Sequence, residues 1–275
     1  MYKFGKTYQT LVLIGKKGTG KGTYCICLSS IIGDEYHAIC KDINRLLNNF
    51  NSLYEKKIFT QVEEITPEAG QYNKLQDFLK TQTTELKDTI EKKGKDAYDA
   101  NCHNNNVLVS NHRGIVRIDN ENRRYAVYET SSEKINDYEY FMGVQDFVRN
   151  NIENIRGFFY NYKGVRDLAK IRPITKAEKE MMVDSMPSHI RFIKEEMVLK
   201  GGEKDFSRDL DVVYSLYKEW HKDCGFQQKI KNKIIFAREL NNLGYTTERL
   251  RDDKIRKRFI QKKPEKKINE YLEES

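Results

Sequence analysis

Short apolar runs alternate with helix-compatible segments over the first 130 residues of the chain. Four of these runs have the length of a buried strand, and they cover residues 11–14, 57–62, 107–109 and 125–128. The segments between them that favour helices cover residues 23–32, 42–49 and 75–79. Such alternation is typical of an α/β fold with a parallel sheet. Residues 88–93 and 96–100 flank a Lys-Gly turn, and this pattern predicts a β-hairpin.

The second half of the chain is predicted to be mainly helical, except for a basic segment near its end. Apolar residues recur at helical spacing between residues 138 and 167, which predicts a helical cover on the sheet domain. Residues 210–220 and 232–243 predict two further helices, and the polarity of residues 246–261 alternates as in a hairpin. Two helices followed by a basic hairpin are the outline of a small winged-helix domain. We therefore expect a core domain at 1–135, a helical extension and linker at 136–200, a winged-helix-like domain at 201–263 and a charged tail at 264–275.

Composition argues against membrane, secretory and zinc-binding classes. No stretch approaches the roughly 20 apolar residues that a membrane span requires, and the first residues lack the layout of a signal peptide. The five cysteines are scattered without a Cys-x-x-Cys pair, which argues against a zinc site and against a disulfide framework. We therefore expect an intracellular protein with reduced thiols that is neither secreted nor active in a membrane.

The net charge of +8 is concentrated near the end of the chain. Residues 229–263 contain twelve Lys or Arg against four Asp or Glu, so this segment carries the whole surplus. A basic segment of this kind indicates a polyanionic partner such as DNA, and the alternative is a solvated edge strand protected by its charge. The residues expected to contact DNA here are Arg249, Arg251, Lys254, Arg256, Lys257 and Arg258.

A glycine-rich loop lies between the first predicted strand and the first predicted helix. Backbone N–H groups of such a loop can surround phosphate oxygens, and the following helix adds its positive N-terminal end. Lys21 would reach the β- and γ-phosphates of a nucleotide, whereas the alternative is a flexible turn without a ligand. The residues expected to bind nucleotide are Gly15, Gly18, Thr19, Gly20, Lys21, Gly22 and Thr23.

Two acidic residues and one amide are the candidate catalytic groups. Gly22 stands where a Ser or Thr usually ligates Mg²⁺, so the metal would depend on water and carboxylates. Glu63 and Glu64 end the second predicted strand; Glu63 would orient the hydrated Mg²⁺, and Glu64 would activate the attacking water. Asn111 follows the third strand and could position that water. The alternatives are a solvated strand end for the acids and a turn-forming role for Asn111.

Two arginines, Arg123 and Arg124, precede the fourth predicted strand. A guanidinium group stabilises the charge on a transferring phosphoryl group, so this pair could reach the γ-phosphate bound to a neighbouring subunit. The alternative is an ordinary surface pair.

In this order, the motifs resemble those of superfamily 3 helicases, and in particular the primase-associated helicase domains of phages and large DNA viruses. The likeness covers about residues 8–130 and continues more weakly to the end of the chain. It rests on the glycine loop, the acidic pair, Ser110-Asn111 and the arginine pair, together with the segments at residues 48–57 and 90–96.

The resemblance implies a P-loop NTPase core of AAA+-like type in a ring, usually a homo-hexamer, that hydrolyses ATP with Mg²⁺ and moves along single-stranded DNA. By position in the motifs, Lys21 would be the phosphate lysine, Glu63 and Glu64 the metal and catalytic acids, and Asn111 the sensor. A primase or polymerase is a further expected partner.

The resemblance also implies roles for basic residues outside the nucleotide motifs. Arg123 would be the finger that acts on a neighbouring subunit, with Arg124 as the second choice. Lys93 and Lys95 would lie on a hairpin that projects into the central channel and grips the DNA backbone, which matches the sequence-independent, salt-sensitive contacts that lysines make with phosphates.

Two other functions remain open from the sequence. Nucleoside monophosphate kinases share the Gly-Lys-Gly-Thr segment, although the chain has neither their Asp-Gly-Phe-Pro-Arg segment nor an arginine-rich lid. A DNA-binding module with a decayed nucleotide site is the second alternative, and Gly22 is the residue that supports it.

Overall fold

The computed structural model describes residues 6–48, 51–65, 71–119, 122–164, 171–193, 195, 208–224, 229–242, 245–252 and 255–262. The chain divides into two units, Met1–Met182 and Val183–Ser275. The predicted charged tail at 264–275 lies outside the described residues, and the finer domain limits stay predictions.

The first unit is built on a five-stranded sheet. The elements up to residue 110 are β1 (Thr10–Ile14), α1 (Lys21–Ile32), β2 (His37–Cys40), α2 (Ile43–Leu46), β3 (Phe59–Glu63), α3 (Gln71–Thr84), β4 (Lys87–Ile90), β5 (Tyr98–Asn101) and β6 (Asn105–Ser110). They are followed by β7 (Tyr125–Glu129), α4 (Tyr138–Asn150) and α5 (Ile152–Asn161), and the division between the units falls within α6 (Lys176–Ser185). Short 3₁₀ turns cover Asp34–Tyr36, Ser52–Tyr54 and Arg113–Ile115.

The sheet has the strand order β2-β3-β6-β1-β7, and every neighbouring pair is parallel. Ile14 pairs with Ser110 and Glu63 with Val109, so β1, β3 and β6 end at one edge of the sheet. Parallel α/β sheets bind ligands at the carboxyl ends of their strands. The register therefore brings the glycine loop, the acidic pair and Asn111 to the edge where a ligand is expected.

Helices cover both faces of this sheet. Alternate residues of β1 point to opposite faces; Val12 and Ile14 belong to a core shared with Leu75 and Leu79 of α3, whereas Leu13 packs with the group that includes Cys25 of α1. The fold is therefore the predicted α/β type, with a parallel sheet between helices.

The predicted helical cover consists of two helices, α4 and α5, that meet at Asn151. Arg156 of α5 donates hydrogen bonds to the backbone oxygens of Ser30 (3.1 Å) and Ile31 (3.0 Å) at the end of α1. Phe147 and Phe158 nevertheless remain 62% and 60% exposed. The predicted helices are confirmed, but no residue of α4 or α5 is buried by the part of the chain that the structure describes.

The second unit contains the predicted helix, helix and hairpin in that order. Its elements are α7 (Ser188–Phe192), β8 (Arg208–Asp209), α8 (Leu210–Asp223), α9 (Lys233–Asn242), β9 (Tyr245–Asp252) and β10 (Ile255–Lys262). The three strands form an antiparallel sheet in the order β8-β10-β9. Tyr217 of α8 is fully buried against Phe192 and Phe236, and its hydroxyl lies 2.7 Å from Oγ of Ser188.

No helix of the described part of the chain combines the length and apolar character needed to cross a membrane.

Candidate functional site

The glycine loop between β1 and α1 adopts a backbone that side chains would disrupt. Gly18 and Gly20 have φ angles of +76° and +84°, which L residues other than glycine rarely adopt. A Cβ atom at Gly20 would lie 2.3 Å from Cε1 of Phe141, and one at Gly18 would lie 2.2 Å from Oδ1 of Asn136. The loop is therefore fixed both by its own conformation and by residues that follow β7.

Lys21 is buried at the first position of α1, with its ammonium turned into the loop. Its Nζ donates to the backbone oxygens of Gly15 and Lys16 at 2.7 Å each, and Oγ1 of Thr19 lies 3.4 Å away. Burial lowers the pKa of Lys21, whereas the nearby Glu64 carboxylate acts in the opposite direction. The ammonium group of Lys21 is therefore partly desolvated and lies where it could bind a phosphate anion held in the loop.

Glu63 ends β3 and is held by two neighbours. Its Oε2 lies 2.9 Å from Nζ of Lys41, and its Oε1 accepts a hydrogen bond from Nε2 of Gln61. The contact between Lys41 and Glu63 is a hydrogen bond, and this bond together with the negative charge of Glu63 raises the pKa of Lys41. Lys41 was not singled out from the sequence because it follows β2, a strand that the sequence pattern did not predict.

Glu64 turns away from the strand direction. Its φ angle of +50° is left-handed, which is uncommon for a residue other than glycine and is found often at functional sites. Nδ2 of Asn111 lies 3.5 Å from Oε1 of Glu64, just beyond the carboxyl ends of the neighbouring strands β3 and β6. The structure therefore places the two proposed water-handling groups side by side.

These groups open into one cavity of about 470 Å³ in the first unit. The sequence-predicted residues that line it are Gly18, Thr19, Gly20, Lys21, Gly22, Thr23, Glu63, Glu64 and Asn111. The lining residues that the sequence did not indicate include Lys41, Asn136, Tyr138, Phe141, Met142 and Gln145. A helical periodicity was visible for α4, but nothing in the sequence identified its loop-facing side.

The cavity offers a donor set that suits Mg²⁺ beside a triphosphate. In the described residues no group of three or more His, Cys, Asp or Glu could hold a metal unaided. The Glu63 and Glu64 carboxylates lie beside the loop, and Mg²⁺ commonly binds through one or two carboxylates while retaining waters and substrate phosphates. The residues present therefore fit a hydrated Mg²⁺ that is shared with a nucleotide.

The arginine pair lies at the opposite edge of the sheet. Tyr125, which follows it, pairs with Thr10 at the start of β1, and the amide of Thr10 donates to the backbone oxygen of Arg124 at 2.6 Å. Four strand residues, or roughly 13 Å, separate this edge from the glycine loop. Arg123 is exposed, whereas the Nε atom of Arg124 is buried without a hydrogen-bond partner. The structure does not bring either arginine to the cavity of its own chain.

The predicted hairpin is formed by β4 and β5, with Lys93 and Lys95 exposed at its turn. Asn51 binds the end of β4 next to the turn: Nδ2 of Asn51 donates to the backbone oxygen of Thr89 at 2.8 Å, and Oδ1 accepts from the amide of Glu91 at 2.9 Å. Glu55 adds an ion pair with Lys92 at 2.5 Å and accepts a hydrogen bond from the Tyr98 hydroxyl at 2.6 Å. The two lysines therefore project from an anchored hairpin.

The basic hairpin of the second unit is formed by β9 and β10. In its register Arg249 lies opposite Arg258, and Arg251 lies opposite Arg256. Lys254 lies outside the described residues. Like-charged residues at directly opposite register positions destabilise a sheet.

Comparison with known proteins places the fold rather than the activity. The profile of a family of unknown function, DUF5906, matches residues 13–124, which include the glycine loop, the acidic pair, Asn111 and the arginine pair. None of the curated proteins compared with the sequence matches it.

Three solved structures of the C-terminal region of NrS-1 are similar to the chain. The apo structure of residues 305–718 is 16% identical with a TM-score of 0.67, and the alignment covers 93% of this chain and 67% of that one. Two A-form apo structures are each 17% identical, with TM-scores of 0.69 and 0.64, and cover 94% of this chain and 68% and 67% of theirs. At this identity the similarity shows the fold alone.

Proposed function

We propose that this chain is an ATP-dependent DNA helicase domain of the superfamily 3 type that serves viral or mobile-element DNA replication. The first unit would be an AAA+-like P-loop NTPase core, and the second unit a winged helix. The observation that carries the proposal is that Lys21, Glu63, Glu64 and Asn111, which lie at or after the ends of three separate strands, converge around one cavity beside the glycine loop. The similarity in fold to the C-terminal region of NrS-1 supports it more weakly.

The side chains around the cavity have the chemistry that ATP hydrolysis needs. Lys21 would exchange the backbone oxygens it now contacts for phosphate oxygens, which are charged and therefore stronger acceptors. Glu64 would accept a proton from the attacking water, and Asn111 would orient that water. Glu63 would hold the hydrated Mg²⁺, which neutralises charge on the phosphates.

The position of the arginine pair supports assembly of several copies. Arg123 lies at the opposite sheet edge from the cavity of its own chain, so it could stabilise a transferring phosphoryl group only in a neighbouring copy. A homo-hexameric ring around single-stranded DNA would meet this requirement. Lys93 and Lys95 on their anchored hairpin would then contact the DNA backbone.

ATP hydrolysis with and without single-stranded DNA tests the proposal, in parallel with size-exclusion chromatography. We expect DNA to stimulate hydrolysis by an assembled ring. We expect Lys21→Ala to abolish it, and Glu64→Gln to abolish hydrolysis while ATP still binds. Lys16→Ala is the matched control, because Lys16 lies in the same loop with an exposed side chain that does not line the cavity.

Other outcomes would contradict the proposal in distinguishable ways. Single-stranded DNA binding with ATP turnover no faster than that of the Lys21→Ala variant would indicate a decayed DNA-binding module. Transfer of phosphate from ATP to AMP would indicate a nucleotide kinase instead. If Arg123→Ala removed ATP binding as well as hydrolysis, the assignment of this arginine to a neighbouring subunit would be wrong.

A further inference from the structure

One face of α4 forms a wall of the candidate cavity. Tyr138, Phe141, Met142 and Gln145 are spaced as residues i, i+3, i+4 and i+7, which places them on the same side of the helix, and all four line the cavity. Phe141 contacts the glycine loop so closely that a side chain at Gly20 would clash with it. The other three residues therefore extend the cavity from the loop along the helix.

This wall differs in chemistry from the phosphate-facing end of the cavity. Tyr138 and Met142 are 73% and 63% exposed, so a ligand would gain free energy by covering their apolar surface. The loop end offers instead Lys17, Lys21 and backbone N–H groups, beside the acidic pair that would hold Mg²⁺. The cavity thus has a charged, phosphate-facing end and an apolar end, as a Mg²⁺-bound nucleotide would require.

Gln145 is the polar group of the apolar end. Its side chain makes no hydrogen bond within the described part of the chain, and it is only partly exposed. A glutamine amide offers one acceptor and one donor side by side, which matches the N7 acceptor and the N6 amino donor of adenine. Guanine presents two acceptors, N7 and O6, at the same edge and therefore matches an amide less well.

We infer that α4 forms the nucleobase subsite: the base of the bound nucleotide packs against Tyr138 and Met142, and Gln145 selects adenine. This inference rests on the proposed function, because it assumes that the triphosphate lies in the glycine loop. The cavity volume of about 470 Å³ lies within the range of roughly 300–1,000 Å³ found for small-molecule sites.

Calorimetric titration of the full chain with ATP, GTP and inorganic tripolyphosphate, each with Mg²⁺, separates the base from the phosphates. We expect ATP to bind more tightly than GTP, and both more tightly than tripolyphosphate. Tyr138→Ala should weaken ATP binding by about tenfold, since base–aromatic contacts have that magnitude. Gln145→Leu should bring ATP and GTP to similar affinity. Neither change should alter the affinity for tripolyphosphate.

The controls distinguish failure of this inference from failure of the proposed function. Phe147→Ala removes an exposed aromatic residue from the same helix outside the cavity, and it should bind all three ligands as the unsubstituted chain does. Unchanged ATP affinity in Tyr138→Ala and unchanged ATP preference in Gln145→Leu would overturn the base subsite. If Lys21→Ala left tripolyphosphate binding intact, or if no nucleotide bound at all, the proposed function would itself fail. Thermal melting of each variant shows that it is folded.

Discussion

Two glycines of the same loop illustrate how single residues constrain the site. Gly20 has a left-handed φ angle, and an added Cβ would clash with the Phe141 ring, whereas an added Cβ at Gly22 would meet nothing within 4 Å. Gly20→Ala should therefore lower the free energy of unfolding by about 1–3 kcal/mol. Gly22 lies in the first turn of α1, so Gly22→Ala should leave the free energy of unfolding unchanged or raise it by up to about 1 kcal/mol. Urea unfolding of both variants measures this contrast, and equal losses would contradict the described loop geometry.

At the residue scale, the sequence predicted what is local and missed what is distant. The glycine loop, Lys21 and the acidic pair each occur within a few residues of a strand end, so their spacing predicted that they meet at one edge of the sheet, as they do. Lys41 contacts Glu63 across 22 positions, and Phe141 contacts Gly20 across 121. Contacts of this kind depend on the order of strands in the sheet and on the path of the chain after β7, which no local pattern encodes.

At the scale of elements, a buried network fixes the segment that carries the arginine pair. Oε1 of Glu178, in α6, accepts a hydrogen bond from Nδ2 of Asn122 at 2.9 Å, and its Oε2 pairs with Arg172. Oδ1 of Asn122 in turn accepts from the amides of Arg124 (3.1 Å) and Tyr125 (3.0 Å). The start of β7 is therefore held by a carboxylate that is only 1% exposed.

This network predicts different costs for the same substitution at two positions of one helix. Glu178→Ala leaves the largely buried Arg172 without its counter-charge, and it should lower the free energy of unfolding by about 3–5 kcal/mol. Glu180→Ala removes a carboxylate that is 35% exposed and bonded to Arg113 at 2.8 Å, and it should cost at most about 1 kcal/mol. Urea denaturation distinguishes the two, and similar losses would mean that the buried pair has no special structural role.

The elements themselves were predicted unevenly. Strands β1, β3 and β6 were predicted because each has the buried run that a central parallel strand requires. The edge strand β7 was predicted because its first three residues are buried. β2 was missed because it is a four-residue edge strand in which Ile39 is 45% exposed, so its pattern is too short and too mixed. The hairpin of β4 and β5 was predicted from its turn, but its anchoring by Asn51 and Glu55 depends on side chains about 40 residues earlier.

For the whole molecule, the net charge of +8 does not by itself identify a DNA contact. The most basic segment, residues 229–263, lies in the second unit, but the lysines that would face a central channel lie in the first, on the β4–β5 hairpin. Each direct contact with a phosphate adds a fixed amount to the slope of log affinity against log salt concentration. A diffuse attraction depends instead only on the total charge of the protein. The salt dependence of affinity therefore separates these two cases.

Three double variants, each removing two positive charges, apply this test to single-stranded DNA binding. Lys93→Ala with Lys95→Ala should reduce the slope of log affinity against log salt by about 1.4, because each phosphate contact on a single strand contributes roughly 0.7. Arg249→Ala with Arg258→Ala, which lie opposite each other in the β9–β10 register, should reduce it by a similar amount. Lys74→Ala with Lys80→Ala removes exposed charges from α3 and should leave the slope unchanged. If the α3 variant lowered the slope as much as the hairpin variants did, DNA would be responding to the total charge of the molecule, and neither hairpin would be a specific contact.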